Sequence, residues 1–493
     1  MFKSLEVGRR IKNVEFRERS LPLRRDLLQA QFQLAERDYP LIILVAGLEG
    51  AGKGRLIHRL NEWMDPRGIE TNTYWEHSDE NESHPYFWRY WRKLPARGQI
   101  GIFLGTWYRK PAEAFIEDRI EREEFDRYLQ QIEFFERMLH DDGALIIKLW
   151  LHVSRDTQLK QLKEKAPYKQ QNPRIVDQPY ELKGSYKKSL AVAELLVLAT
   201  DTECNPWHLI EAEDYHYRDI SAGEIILESM RRRALAGLSP DRPPVHDSKS
   251  IKTSQPCVLD TVDLDLTLDR STYSRKLKKY QGKLQDLIWK AYRKKRSVVA
   301  VFEGWDAAGK GSAIRRVTNA VDPRLFHLVQ FAAPSDEERA KHYLWRFWRQ
   351  LERDGRCTFF DRSWYGRVLV ERVEQFASAG EWQRAYSEIN QFEEQLVDHG
   401  SIVLKFWIHI SQEEQLARFR AREAEPHKRH KITQEDWRNR EKWPAYEAAV
   451  HEMVNRTSTR HAPWSLISGD DKPYARIQIL KTFCKTIERA LDD

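Results

Sequence analysis

The residues best suited to chemistry form a glycine-rich loop between an apolar run and a helix. The segment Gly304-Trp-Asp-Ala-Ala-Gly-Lys-Gly-Ser312 follows the apolar run Val298–Phe302. In such a turn, backbone N–H groups at the helix N-terminus point at anionic oxygens, and Lys310 adds a mobile positive charge. The loop therefore predicts a phosphate-binding site. Its candidate residues are Gly304, Asp306, Ala307, Ala308, Gly309, Lys310, Gly311 and Ser312.

The position after the lysine departs from the usual phosphate-loop pattern. Gly311 stands where a Ser or Thr hydroxyl would bind Mg²⁺. Ser312 lies about 100° further round the helix, so it is no simple substitute. We therefore expect carboxylates to hold Mg²⁺, and Asp306 is the first candidate. Asp361 is the second, because it ends a neighbouring apolar run, and Arg362 beside it can grip phosphate oxygens.

Three other groups have two interpretations each. Glu371 either faces an acceptor nucleotide or lies on a helix surface. The aromatic residues Trp345, Phe347 and Trp348 either stack a base or, as their helical spacing favours, pack into the core. Residues 418–431 hold six Lys or Arg and form either a solvated face or a lid that excludes water from the phosphates. The lid interpretation names Arg418, Arg422, Lys428 and Lys431.

The chain contains one domain sequence twice. An offset of 257 residues relates Lys53 to Lys310, and it recurs without a gap over about 160 residues. We therefore predict two domains, residues 1–245 and 256–493, joined by a proline-containing connector at 237–256. The same offset relates Asp65 to Asp322, Trp107-Tyr108 to Trp364-Tyr365, and Pro206-Trp207 to Pro463-Trp464.

Each copy alternates apolar strands with helices, which predicts an α/β fold with a parallel sheet flanked by helices. The nucleotide site of such a sheet lies at the carboxyl ends of its strands. A capping box at Ser335 and Glu338 predicts a helix that runs through Trp348. In the second copy we predict strands at 298–302, 357–360, 402–410 and 464–467, and helices at 280–295, 382–398, 445–455 and from 474.

The first copy keeps the lysine and glycines of the loop but does not keep Asp361 and Arg362. Glu49 replaces Asp306, Leu104 replaces Asp361 and Gly105 replaces Arg362. Leucine cannot bind a metal. We therefore expect the second copy to be catalytic and the first to be structural.

The segments Glu303–Gly311 and Phe360–Tyr365 resemble the polyphosphate kinase 2 family. The resemblance covers both copies. It implies two phosphate-loop (Walker A type) kinase domains with helical basic lids, and phosphoryl transfer from inorganic polyphosphate to a nucleotide. The tandem duplication resembles the class that phosphorylates AMP to ADP, in which the first copy is degenerate.

The resemblance also implies roles for individual residues. Asp306 and Asp361 resemble the Mg²⁺ ligands, and Lys310 and Arg362 resemble the phosphate-gripping cations. Many relatives have Asn where this chain has Gly366. Family members assemble through these domains, so a homodimer is expected. Arg422 and Lys428 resemble lid contacts to polyphosphate, and Glu371 resembles an acceptor-side residue.

Charge and composition indicate where the protein acts and which partners it binds. The net charge is +7, which is either a solvated surface or a groove for a polyanion. Met1–Arg10 has no apolar segment that could be a secretion signal, and the four cysteines form no paired motif, so we expect a cytoplasmic protein. We expect no nucleic-acid or membrane partner. The alternatives are a polyphosphate-dependent nucleoside diphosphate kinase, an ATP-dependent nucleotide kinase and a non-catalytic polyanion- or nucleotide-binding regulator.

Overall fold

A computed structural model describes residues 1–74, 82–161, 163, 186–236, 257–425 and 432–492. The connector at 237–256, Lys428 and Lys431 lie outside these residues. Within them, no helix is both long enough and apolar enough to span a bilayer.

The described residues form two compact units. The first contains the described parts of residues 1–77, 90–239 and 336–342, and the second contains those of 78–89, 240–335 and 343–493. Each unit is therefore built mainly on one copy and includes a short segment of the other. The two-domain division at the connector stays a prediction, because the connector is not described.

Each unit contains a five-stranded parallel sheet, and the two sheets have the same strand order. The orders are β2-β3-β1-β4-β5 and β7-β8-β6-β9-β10. The central strands are apolar and almost fully buried, as expected where helices cover both faces. The strands are β1 (Leu41–Gly47), β2 (Ile69–Thr73), β3 (Ile100–Leu104), β4 (Leu145–His152), β5 (Trp207–Glu211), β6 (Val298–Gly304), β7 (Phe326–Gln330), β8 (Cys357–Asp361), β9 (Ile402–His409) and β10 (Trp464–Ser468).

The α-helices follow the same repeat. In the first copy they are α1 (Asn13–Ala35), α2 (Lys53–Trp63), α3 (Trp88–Trp91), α4 (Arg109–Ile116), α5 (Arg122–Asp141), α6 (Tyr186–Thr200) and α7 (Tyr215–Ala236). In the second they are α8 (Arg270–Arg293), α9 (Lys310–Thr318), α10 (Asp336–Arg339), α11 (Trp345–Trp348), α12 (Val370–Val373), α13 (Ala379–Asp398), α14 (Gln412–Ala424), α15 (Gln434–Glu441), α16 (Trp443–Thr457) and α17 (Lys472–Asp492).

The predicted parallel sheet with flanking helices is confirmed, with two differences. Strand β7 was not predicted, because its polar residues and its place at the sheet edge give it no continuous apolar run. The predicted helix through Trp348 is wrong, since α10 and α11 are separate. The Ala340 carbonyl, which would accept from Leu344 in a continuous helix, accepts instead from Arg97 N at 2.8 Å.

A buried ion-pair network ties the central sheet to the helices. Lys405 Nζ donates to Glu393 Oε2 at 2.7 Å, to Tyr365 Oη at 2.9 Å and to the Thr457 carbonyl at 2.6 Å. Burial lowers the pKa of Lys405, and the Glu393 charge opposes that shift. The first copy repeats the network with Lys148, Glu136, Tyr108 and Thr200.

Candidate functional site

The phosphate loop connects β6 to α9 through backbone conformations that few residues adopt. Gly304 has φ of +151°, and a Cβ there would lie 2.5 Å from the Ile408 carbonyl oxygen. Gly309, the N-cap of α9, has φ of +109°. Ala307 adopts φ of +60°, although alanine disfavours that region. The glycines therefore allow the loop to lie directly against β9.

Lys310 extends over the loop. Its Nζ donates to the Gly304 carbonyl at 2.5 Å and to the Trp305 carbonyl at 3.3 Å. The ammonium thus lies across the concave side of the turn, beside the N-terminus of α9. A cation in that position can bind the oxygens of a phosphoryl group that reaches the loop.

Asp361 and Arg362 end the strand beside the loop strand. Asp361 pairs in register with Phe302 of β6, and its carboxylate receives no hydrogen bond from any described residue. Arg362 adopts φ of +68°, a left-handed conformation that costs a non-glycine residue about 1–2 kcal/mol. Its side chain is exposed and forms no hydrogen bond with the described residues. Strain at an exposed arginine is typical of a functional position.

Glu303 is a site carboxylate that sequence analysis did not single out. It is buried in β6 and accepts from Ser363 N at 2.8 Å and from Ser363 Oγ at 2.7 Å. Burial raises the pKa of Glu303, while the charges of Lys310 and Arg362 oppose the shift. The sequence held a signal for it, because Ala46 occupies the equivalent position in the first copy.

Asp306 is held by residues on both sides of the lid segment 418–431. Asn439 Nδ2 on α15 donates to Asp306 Oδ2 at 2.9 Å, and Gln415 Nε2 on α14 donates to the Asp306 carbonyl at 3.1 Å. Next to it, the indoles of Trp305 and Trp443 stack with their centroids 3.6 Å apart. The helices that flank residues 426–431 therefore pack directly on the phosphate loop.

Arg418 has a different position from that expected of a lid cation. Its guanidinium is buried and donates to the carbonyls of Ala307, Ala308, Gly469 and Asp470 at 2.7–3.0 Å. These bonds hold the back of the phosphate loop in place. Arg418 is therefore a positioning residue, and its charge supports the loop rather than covering it.

Several cations lie close to Lys472. Partial burial of its ammonium lowers the pKa of Lys472, and the charges of Arg418, Arg476 and Arg422 lower it further, against an opposing contribution from Glu414. The structure thus brings Arg422, at the end of α14, into the same electrostatic neighbourhood as Lys472 and Arg476. A polyanion in this region would relieve their mutual repulsion.

The carboxylates fit a magnesium ion but not a protein-only metal cage. No group of three or more His, Cys, Asp or Glu side chains in the described part of the chain could hold a metal ion. Mg²⁺ is usually bound through one or two carboxylates together with substrate phosphates and water. Asp306 and Asp361 supply that number.

Comparison with known proteins accounts for this arrangement. The family model described as Polyphosphate kinase 2 (PPK2) matches residues 10–236 and 267–493. The chain belongs to the polyphosphate kinase 2 family. A protein of Pseudomonas aeruginosa named polyphosphate:AMP phosphotransferase is 45% identical over 99% of both chains. One of Acinetobacter johnsonii with the same name is 38% identical over 95% of this chain and 96% of its own.

Solved and single-copy relatives agree with that assignment. A crystal structure of a polyphosphate kinase 2 homologue from P. aeruginosa superposes with a TM-score of 0.89 at 45% identity and covers 100% of both chains. A Rhizobium meliloti protein named ADP-polyphosphate phosphotransferase 2 is 40% identical, but over only 45% of this chain and 72% of its own length. Members of the polyphosphate kinase 2 family thus match either less than half of this chain or its whole length.

Glu371 lies at the edge of the described site. Its Oε2 is 3.1 Å from Arg367 Nε, and its Oε1 would lie 3.8 Å from a Cβ on Gly366. The missing side chain at Gly366 leaves room beside this carboxylate. The aromatic residues Trp345, Phe347 and Trp348 are buried, which confirms that they pack in the core.

The first polyphosphate kinase 2 copy retains the loop geometry. Lys53 Nζ donates to the carbonyls of Gly47 and Leu48 at 2.7 and 3.0 Å, as Lys310 does in the second copy. Gly50 and Gly52 keep positive φ values of +85° and +84°. The first copy therefore keeps the shape of the phosphate loop but has no acid at the position of Asp361.

Proposed function

We propose that the second copy transfers the terminal phosphoryl group of inorganic polyphosphate to AMP, giving ADP. One observation carries the proposal. Asp361 and Arg362, at the end of the strand beside the phosphate loop, have equivalents with neither charge in the first copy, and the full-length relatives of this chain are named for this reaction. The catalytic set that we propose is Asp306, Lys310, Asp361 and Arg362.

The described residues can bind and orient the reactants. Mg²⁺, when bound to Asp306 and Asp361, would neutralise charge on the phosphates. Lys310 and the α9 N-terminus would hold the transferring group, and the exposed fork of Arg362 would bind its oxygens bidentately. Phosphoryl transfer of this kind needs positioning and electrostatic stabilisation more than a nucleophilic side chain.

Cations on the second unit would bind the donor chain. Arg422, Lys472 and Arg476 lie around the loop, and we propose that Lys428 and Lys431 extend this set. Binding of the donor would keep water from the reacting phosphate. Glu371 beside Gly366 is the proposed acceptor-side residue.

A single assay tests the proposal. Purified protein is incubated with Mg²⁺, long-chain polyphosphate and AMP, and ADP is measured by chromatography. We expect ADP only when all three are present, and none after EDTA is added. Absence of ADP in the complete mixture would refute the proposal. ADP formed when ATP replaces polyphosphate, but not otherwise, would favour an ATP-dependent kinase.

Nucleoside diphosphates are the second candidate acceptors. The observation in their favour is that single-copy relatives are named ADP- or NDP-polyphosphate phosphotransferases. Parallel reactions with ADP and GDP, followed as ATP and GTP, distinguish this possibility. A higher kcat/KM for ADP than for AMP would make the diphosphate the preferred acceptor.

We also propose a cytoplasmic homodimer. The support is the family resemblance and the four cysteines, each of which is a free thiol in the structure. Light scattering of the purified chain measures the oligomeric state, and fractionation of the native cells tests the location.

A further inference from the structure

A cavity beside the phosphate loop of the first copy is the main feature that the proposed function leaves unused. Its volume is about 410 Å³, within the range of small-ligand sites. It lies between the first turns of α2 and the start of α7. The lining includes Arg55, His58, Arg59, Tyr215, Arg218 and Asp219.

Arg218 is the buried cation of this cavity. Only 3% of the residue is exposed, and its Nε and Nη2 donate to Asp219 Oδ1 at 2.8 and 2.6 Å. Its Nη1 donates to no described residue. That nitrogen would lie 2.1 Å from a Cβ on Gly52, so it rests against the N-cap of α2. A guanidinium nitrogen beside the positive end of a helix is favourable when an anion binds between them.

Arg55 provides a second cation one turn into α2. It is exposed, lines the cavity and forms neither an ion pair nor a hydrogen bond with any described residue. Arg59 bonds to Asp219 and Glu62 at the far side. Among these three arginines, Arg55 is therefore the one that the described protein does not neutralise.

The two copies differ in where these cations lie, not in whether they are present. Arg55 replaces Ser312, and Arg218 replaces Ala475. In the opposite direction, Tyr215 replaces Lys472 and Asp219 replaces Arg476. Gly105 also replaces Arg362, so the first copy lacks three of these cations and has two others around the same loop, while Ala46 and Leu104 replace the acids Glu303 and Asp361. Random decay of an unused site gives no reason for this exchange.

We infer that the first copy is a non-catalytic binding site for a phosphate chain, held by Arg55, Arg218 and the N-terminus of α2. The identity of the chain as polyphosphate rests on the proposed function. Several cations spread over two helices suit a ligand with consecutive phosphates better than a single phosphate. Without an equivalent of Asp361, the bound chain is not a phosphoryl donor here.

The test uses the full-length chain in EDTA, with tripolyphosphate titrated by calorimetry at physiological salt. We expect two sites per wild-type chain, and Arg55→Glu should weaken one of them roughly tenfold, as loss of a charged hydrogen bond does. Arg24→Glu, at an exposed arginine on α1, makes the same charge change away from the cavity and should leave both sites intact. His58→Glu, also at an exposed position, is a second variant that should repeat the loss.

Two outcomes would overturn the inference. They are equal binding of tripolyphosphate by Arg55→Glu and Arg24→Glu, and equal affinity of the Arg55 site for orthophosphate and tripolyphosphate. Because binding is measured without AMP or metal, it does not depend on turnover. A chain that binds through Arg55 but makes no ADP would refute the proposed function alone.

Discussion

The two copies share their sheet order and their buried lysine network but differ around the phosphate loop. Lys148 and Lys405 have the same partners in both cores, and Lys53 and Lys310 bond to equivalent carbonyls. The acids Glu303, Asp306 and Asp361 have no carboxylate equivalents in the first copy except Glu49. The comparison separates what the fold requires from what the proposed chemistry requires. The glycines and the lysine are common to both copies, whereas Asp361 and Arg362 occur only in the copy that we propose to be catalytic.

Removing the loop lysine from each copy in turn tests that separation most strongly. Lys310→Ala should lower kcat/KM for AMP by at least about 10³-fold, because it removes a charge from the transferring phosphoryl group. Lys53→Ala is the matched control and should retain turnover with tripolyphosphate. Steady-state ADP formation measures both. The reverse pattern would assign catalysis to the first copy.

The shared core network should respond alike in both copies. Lys405→Met and Lys148→Met each leave a buried glutamate without its partner, which costs about 3–5 kcal/mol. We expect both variants to unfold at markedly lower urea concentration, as followed by circular dichroism. The double variant Lys405→Met/Glu393→Leu should recover most of the loss. A large effect in only one copy would show that the networks are not equivalent.

Arg362 tests a side chain that differs between the copies at the same backbone conformation, since Gly105 has φ of +70°. Arg362→Gly installs the residue of the first copy and should lower kcat/KM roughly 100-fold through loss of the bidentate contact. The thermal midpoint should not fall, because glycine accepts the left-handed backbone without steric cost. Arg362→Lys keeps the charge but loses the fork, so its activity should be intermediate. Full activity of the glycine variant would exclude a phosphate contact.

Glu303 should give the smallest effect, visible in the pH dependence of stability. Because the pKa of Glu303 is raised in the folded protein, its carboxyl group stays protonated over a pH range in which the unfolded chain has lost that proton. Stability from this group is complete below the ordinary glutamate pKa and is lost as pH rises through the folded value. Glu303→Gln should therefore flatten the decline in the free energy of unfolding above the ordinary glutamate pKa. Glu18→Gln, at an exposed position, should leave the decline unchanged.

The sequence predicted those parts of the site that depend on local pattern. Asp361 could be placed because it ends an apolar strand, and Lys310 because the loop around it is contiguous. Because the repeat offset is constant, the positions in the first copy that correspond to Asp361 and Lys310 could also be identified from the sequence. The shape of the loop and the position of one acid relative to its strand are local properties that a sequence can carry.

The contacts that could not be predicted join distant parts of the chain. Arg418 supports a loop more than a hundred residues earlier, and Asn439 bonds to Asp306 from beyond the lid segment. Neither residue belongs to a motif with a fixed spacing. Strand β7 was missed for a related reason, since its neighbour β8, rather than its own composition, makes it a strand.

At Gly105 in the first copy, a side chain cannot be added without moving its neighbours. A Cβ there would lie 2.9 Å from the Tyr74 carbonyl oxygen and 3.4 Å from Arg109 Nη1. Arg109 stands at the position of Gly366 and donates to that same carbonyl at 2.8 Å. The place of the lost arginine side chain is thus bounded by a carbonyl and by another guanidinium. Restoring catalysis to the first copy by design would require clearing Arg109 before any acid or arginine is reintroduced.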